Sequence, residues 1–163
     1  MATRPTAEWR TNRGNPAETA NDQGSAETFA CDVWVDMIAQ GEPPSRLRVG
    51  VVRFAPGAHT AWHRHANGQT LHILDGRRLV QSRGGQVLQA GPGDTIITPP
   101  GEWHWHGAAP SHFMTHLAMS EDLADGQPGP VTEWGDHLTG DEYPRPITPS
   151  RTRKEKPCQT ART

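Results

Sequence analysis

Residues 57–76 read Gly57-Ala-His59-Thr-Ala-Trp-His63-Arg-His65-Ala-Asn-Gly-Gln69-Thr-Leu-His72-Ile-Leu-Asp-Gly76, and residues 93–107 read Gly93-Asp-Thr-Ile-Ile-Thr-Pro99-Pro-Gly101-Glu-Trp-His104-Trp-His106-Gly107. Each stretch carries a His-x-His pair framed by glycines and prolines. Side chains at i and i+2 of a strand point to the same face, so each pair aims two imidazoles at one place. One such pair is a weak signal, since half-exposed strands produce it too. Two pairs inside a single histidine-dense region are harder to dismiss. Eight of the nine histidines fall between positions 59 and 116: His59, His63, His65, His72, His104, His106, His112 and His116. Neutral imidazole is a borderline-soft donor suited to Mn, Fe, Co, Ni, Cu or Zn.

Outward from these stretches the chain is punctuated by turns. Asn67-Gly68, Asp75-Gly76, Gly84-Gly85, Gly91-Pro92-Gly93 and Pro99-Pro100-Gly101 separate short apolar segments at Leu71–Leu74, Val87-Leu88, Thr95–Thr98 and Phe113–Met119. Upstream, Phe29, Cys31, Val33 and Val35 alternate with Ala30, Asp32 and Trp34, and Leu47–Phe54 reads as a second strand ended by Pro56-Gly57. Many short strands with frequent turn signals predict an all-β sandwich or barrel. Residues 121–130 read as a loop, and Val131–Leu138 fits either a short helix or a covering strand.

Composition agrees. The 163 residues include 17 Gly and 15 Pro, and only 33% are hydrophobic. Mean hydropathy is -0.74. That pattern fits a turn-rich β domain with polar terminal extensions. We divide the chain into a flexible arm over 1–26, the β domain over 27–143 and a disordered, basic, Pro-rich tail over 144–163. The formal net charge of -2 offers no nucleic-acid footprint, and no helix-turn-helix pattern accompanies the basic tail. No apolar run approaches the roughly 18 residues of a membrane span. Cys31 and Cys158 give no disulfide framework, and no apolar leader opens the chain, so a cytoplasmic setting is expected.

The first stretch resembles the first motif of the cupin family: Gly, five residues, His-x-His, three or four residues, Glu, six residues, Gly. Gly57, His63, His65 and Gly76 fall in place, with Gln69 at the Glu position. The second stretch resembles the second motif: Gly, five residues, Pro-x-Gly, two residues, His, three residues, Asn. Gly93, Pro99, Gly101 and His104 match, and Ala108 stands where the Asn would be. The resemblance spans about Thr28 to Ser120. It implies a double-stranded β-helix, a small jelly-roll barrel, with one divalent metal held by His63, His65, Gln69 and His104. A neutral amide in place of a carboxylate leaves that site one unit more positive, which favours anionic ligands. Three His and one Gln leave positions open on a six-coordinate ion, unlike a closed structural zinc site.

A narrower resemblance rests on His63-Arg-His65, Gly68-Gln-Thr70, His104-Trp-His-Gly-Ala-Ala-Pro110 and Met114-Thr-His-Leu-Ala118. These are similar to a bacterial subgroup of small cupins that includes manganese-dependent hydroxynitrile lyases and cupins associated with carboxymuconolactone decarboxylases. It implies Mn as the metal, with Fe, Ni and Co as alternatives, and a lyase acting on a small-molecule substrate. His106, which shares a face with His104, and His116 are the expected acid/base residues. Thr60, Gly50, Val52 and Met114 are the expected pocket residues, with Thr60 offering its hydroxyl. Trp62 and Trp105 alternate with the histidines, so they should point outward into a second layer or a dimer contact. A homodimer is implied by resemblance. A dioxygenase or isomerase, and a non-catalytic ligand-binding module, are the competing functions, because one fold hosts many chemistries.

Overall fold

The computed structural model describes residues 22–144. Thirteen strands follow in chain order: β1 (Asp22–Gln23), β2 (Phe29–Ala30), β3 (Val33–Gln40), β4 (Leu47–Phe54), β5 (His59–Thr60), β6 (His63–His65), β7 (Gln69–Gly76), β8 (Arg78–Ser82), β9 (Leu88–Ala90), β10 (Thr95–Thr98), β11 (His104–Ala108), β12 (Met114–Glu121) and β13 (Thr132–Trp134). There is no helix among the described residues. One sheet has the order β1-β3-β4-β12-β7-β10, and the other runs β13-β6-β11-β5-β2, with β8 on β11 and β9 on β8. Every pairing is antiparallel. The two sheets curl over one another as a jelly-roll barrel, the all-β fold expected.

The strands at Leu47–Phe54 and Thr95–Thr98 form as read. Two departures have physical causes. The alternation from Phe29 to Val35 is not one strand, because Cys31 takes φ 65° and turns the chain between β2 and β3. A positive φ at a non-Gly residue leaves no trace in periodicity. Cys31 is disulfide-bonded, so the reading of no disulfide framework fails there, along with the cysteine argument for a reducing compartment. Of the helix and the covering strand left open for Val131–Leu138, the structure has a strand, β13, which pairs with β6. Secondly, Asp22–Gln23, inside the span assigned to the arm, pairs with β3. The rest of that arm and the tail beyond residue 144 lie outside the described residues. Among the described residues no helix is long and apolar enough to cross a membrane.

Strand parity splits the apolar residues into two cores. Val33, Val52, Phe54, Ala58, Ala108 and Met114 pack inside the barrel. Trp62, Leu79, Trp105 and Leu138 pack on the outer face of the second sheet, with Trp103 and Tyr143 against them. The tryptophans do point outward, and what covers them is the chain's own segment after β13. Trp62 Nε1 donates to Glu142 at 3.3 Å, and Tyr143 OH donates to the Ala108 carbonyl at 2.6 Å. Burying a side chain of this size is worth upwards of about 2 kcal/mol, so this outer core is a real part of the fold.

Two glycines are required by close approach. At Gly76 (φ +81) an added Cβ would sit 1.9 Å from the Phe113 carbonyl oxygen, and at Gly107 one would sit 2.5 Å from the Ala58 carbonyl oxygen. The first lets β7 turn into β8 beneath β12. The second lets β11 press against β5, which sets the depth at which His104 and His106 enter the barrel.

Candidate metal centre and pocket

The site is built from one face of β6, β11, β12 and β13. His63 and His65 project inward from β6 and Arg64 projects outward, where its guanidinium donates to Glu133 at 2.7 and 2.9 Å. His104 pairs with His63 across the sheet. All five of His63, His65, His104, His106 and His116 are buried. The rings form a connected cluster: His63–His104 centroids lie 4.2 Å apart, His63–His65 5.3 Å, His63–His106 5.2 Å and His106–His116 5.1 Å.

Backbone carbonyls fix the tautomers. His63 Nδ1 lies 3.0 Å from the Ala61 oxygen, and His104 Nδ1 lies 3.0 Å from the Glu102 oxygen. A carbonyl only accepts, so each Nδ1 carries the proton and each Nε2 presents a lone pair inward. His65 Nδ1 is satisfied by Thr132 Oγ1 at 3.1 Å, and its buried Nε2 has no partner among the described residues. His104 Nε2 lies 3.2 Å from Gln69 Oε1. With His104 in this tautomer, those two atoms are both acceptors facing each other. A cation bound between such donors removes the conflict, so the residues present fit a divalent metal. This arrangement of oriented imidazoles, each braced on its far nitrogen, is how metal-ligating histidines are held.

Electrostatics favour the ligating form. Burial, and then the neighbouring His104, hold the His65 pKa down at about 4. Burial holds His63, His106 and His116 well below the usual histidine value, with the Arg78 charge adding to each. His104 is lowered too, chiefly by burial. Near neutral pH the whole cluster is uncharged.

Distance alone groups three residues most tightly: one ring nitrogen from each of His63, His104 and His106 lies within 4.8 Å of the others. Gln69 joins this group through His104 at 3.2 Å, and the His65 ring lies 5.3 Å from that of His63 and 6.0 Å from that of His104. His106 differs from the first four in its bracing. Its backbone N–H donates to Thr60 Oγ1 at 3.1 Å, while its ring Nδ1 is buried and unpartnered among the described residues. Thr60 is thus a support for β11 whose hydroxyl proton stays available. His116 Nδ1 contacts the Met114 sulfur at 3.2 Å and its Nε2 is unpartnered.

A cavity of about 500 Å³ opens beside the histidines, walled by Val35, Met37, Gly50, Val52, Ala118 and Trp134 among others. Gly50 and Val52, two of the expected pocket residues, line it. Met114 does not: it is fully buried in the inner core with Phe54 and Ala108. The sequence reading missed Thr132 and Trp134, which line the cavity and also touch the histidines; the Trp134 ring stacks on His63 at 4.7 Å. Their alternation around Glu133 was the available signal, once that segment is taken as a strand. His72 bonds Thr95 on the outer face, as parity expects. His59 also faces out, stacked on Tyr143 at 4.5 Å.

Comparison with known proteins agrees with this architecture. The cupin domain family model matches residues 50–117. Over 126 residues the chain is 43% identical to a protein from Granulicella tundricola named (R)-mandelonitrile lyase, covering 77% of this chain and 93% of that one. The crystal structure of a cupin-like protein from Thermotoga maritima is 35% identical, with a TM-score of 0.69, over 76% of this chain and 90% of that one. The polyketide cyclase RemF from Streptomyces resistomycificus, at 20% identity and a TM-score of 0.54 over 70% of this chain and 78% of that one, shares the fold. Two His-x-His strands facing one interior, a jelly-roll of short strands and a lyase-named relative matched over nearly its full length place the chain in the cupin family.

Proposed function

We propose that this chain is a metal-dependent lyase that cleaves a small α-hydroxynitrile of the mandelonitrile class into a carbonyl compound and hydrogen cyanide. The observation that carries the reading is the 43% identity to a protein named (R)-mandelonitrile lyase, extending over 93% of that relative. The ligand set is His63, His65, Gln69 and His104, and the metal is Mn. When bound, the ion supplies Lewis-acid polarisation of the substrate oxygen.

The protein's own groups do the rest. His106 accepts the hydroxyl proton at Nδ1, the ring nitrogen that has no partner within the fold. Its neutral state at working pH suits it to a base. As the O–H electrons form the carbonyl, the bond between the carbinol and nitrile carbons breaks. The cyanide departs with that electron pair and takes up a proton, for which His116, 5.1 Å from His106 between ring centroids, is the adjacent donor after relay. Val52, Gly50 and Trp134 face the substrate's apolar part, and the small Gly50 leaves room for a ring.

The test is direct. Full-length protein stripped with chelator and reloaded with Mn should release benzaldehyde from mandelonitrile faster than stripped protein or buffer, and chiral chromatography of the residual substrate should show one enantiomer consumed. No metal-dependent release with Mn, Fe, Co or Ni, at measured stoichiometric loading, overturns the reading. Oxygen uptake by the Fe form would then direct attention to a dioxygenase.

A further inference from the structure

Arg78 is the least expected residue inside the barrel. It opens β8 opposite Ala108, the position two residues beyond His106 on β11. Paired residues of an antiparallel ladder point to the same side, so Arg78 faces inward with His104 and His106. Its side chain is 0% exposed. Nε, Nη1 and Nη2 all lack a hydrogen-bond partner among the described residues. Its charge helps lower the pKa of His63, His104, His106 and His116, so the guanidinium lies within electrostatic reach of all four.

A guanidinium carries five N–H donors and no acceptor. Burying it with none of them met costs several kcal/mol, which a fold retains only where something supplies the counter-charge. Burial draws its pKa down to about 9, so it is still charged at neutral pH. No carboxylate compensates: the four carboxylate ion pairs of the described residues, at Glu121, Asp122, Asp36 and Glu133, all go to other arginines. Gln69 contributes no negative charge to the metal set either. His106 Nδ1 and His116 Nε2 are unpartnered in the same interior. Phe54, Ala108 and Met114 are buried in the same barrel interior, where the dielectric is low and an ion pair is strong.

We propose that Arg78, together with His106 and His116, forms a subsite for one small monoanion, of formate or halide size, inside the barrel next to the metal centre. A planar or compact monoanion meets the guanidinium fork with charge-assisted hydrogen bonds. The remaining contacts come from an N–H of His116 and from His106 once its Nδ1 carries a proton, as it does after accepting one from substrate or in its other neutral tautomer. The full burial of Arg78 favours a small anion over a bulky one such as gluconate. The anion has two sources: a resident ion from solvent, or the anion released from substrate. The second rests on the lyase reading above; the first does not.

The experiment uses the full chain without metal, in gluconate buffer at constant ionic strength. Sodium formate should raise the unfolding temperature, by on the order of 5 °C at about one hundred times Kd, and the neutral isostere formamide should not. Arg78→Met should abolish the formate response while circular dichroism and Mn content stay as in the parent, since a buried charge replaced by an apolar side chain is commonly tolerated. If that variant does not fold, crystals soaked in bromide decide: an anomalous peak against Arg78 supports the subsite. Peaks confined to the surface, an adventitious ion only, overturn it. So does a formate response that formamide reproduces or that survives Arg78→Met. In the Mn-loaded parent, formate competing with mandelonitrile (KM raised, kcat unchanged) identifies the released anion as the occupant. Stabilisation without inhibition identifies a resident ion. Absent cleavage with an intact formate response defeats the lyase reading and leaves the subsite standing.

Discussion

Metal-free protein should lose stability steeply as pH falls from 6.5 towards 4. His65 shows why. In the unfolded chain it takes a proton near pH 6.5, but the fold refuses that proton until the pH reaches about 4. In this window the unfolded state binds more protons, so acidification favours unfolding. The stabilisation is whole above pH 6.5 and is lost as pH drops through the folded value. A gap of about 2.5 units at 1.36 kcal/mol each gives about 3 kcal/mol from His65 alone. That is a large share of the roughly 5–15 kcal/mol that holds a domain together. His63, His106 and His116 are depressed in the same direction, so His65 sets a lower bound on the slope. The assay is urea unfolding of chelator-treated protein between about pH 7.5 and about pH 4.5, with the midpoint and slope fitted at each pH. Stability that changes by less than about 1 kcal/mol per pH unit between about pH 5.5 and about pH 4.5, where the unfolded histidines are protonated and the folded ones are not, would refute the picture of a buried, neutral histidine cluster.

His63→Ala and His104→Ala should each abolish Mn retention, read by mass spectrometry of the purified protein, with the β circular dichroism intact. His106→Ala should retain Mn and lose turnover; loss of Mn instead would make His63, His104 and His106 the ligand set that their mutual proximity marks. Gly76→Ala, which drives a Cβ to 1.9 Å from the Phe113 oxygen at φ +81, should cost about 2 kcal/mol or more by denaturant titration. Tyr143→Phe removes the 2.6 Å bond to the Ala108 carbonyl and should cost about 1 kcal/mol, with the same titration as the check.

The barrel was legible because its turns are written in Gly and Pro and its strands in period-two alternation. The histidine face was legible for the same reason: parity alone sends His63, His65, His104 and His106 to one side. What stayed hidden depends on partners distant in sequence. Arg77-Arg78 follows the Asp75-Gly76 turn, and nothing in that charged pair marks one member for burial; only the register of β8 on β11 turns Arg78 inward. Thr132 and Trp134 stand in a segment that also fits a helix, and pairing with β6 is what makes it a strand. Parity sent Trp62 and Trp105 outward correctly. It could not say that residues of the same chain, Leu138 and Tyr143, would cover them. Met114 shares a face with His116 but packs into the inner core with Phe54 and Ala108.

The two-faced character of β11 has a further consequence. Along His104–Ala108, imidazoles enter the interior while the Trp105 indole, 0% exposed, is clamped outside by Gln81 at 2.7 Å and by Tyr143. A slip of one residue would exchange these faces. It would thrust an indole among the lone pairs of the metal centre and strand two imidazoles in an apolar layer. Either error is penalised on both sides of the sheet at once. The outer tryptophan layer therefore proofreads the alignment of the centre it never touches, and substitutions there should first surface as a loss of metal fidelity.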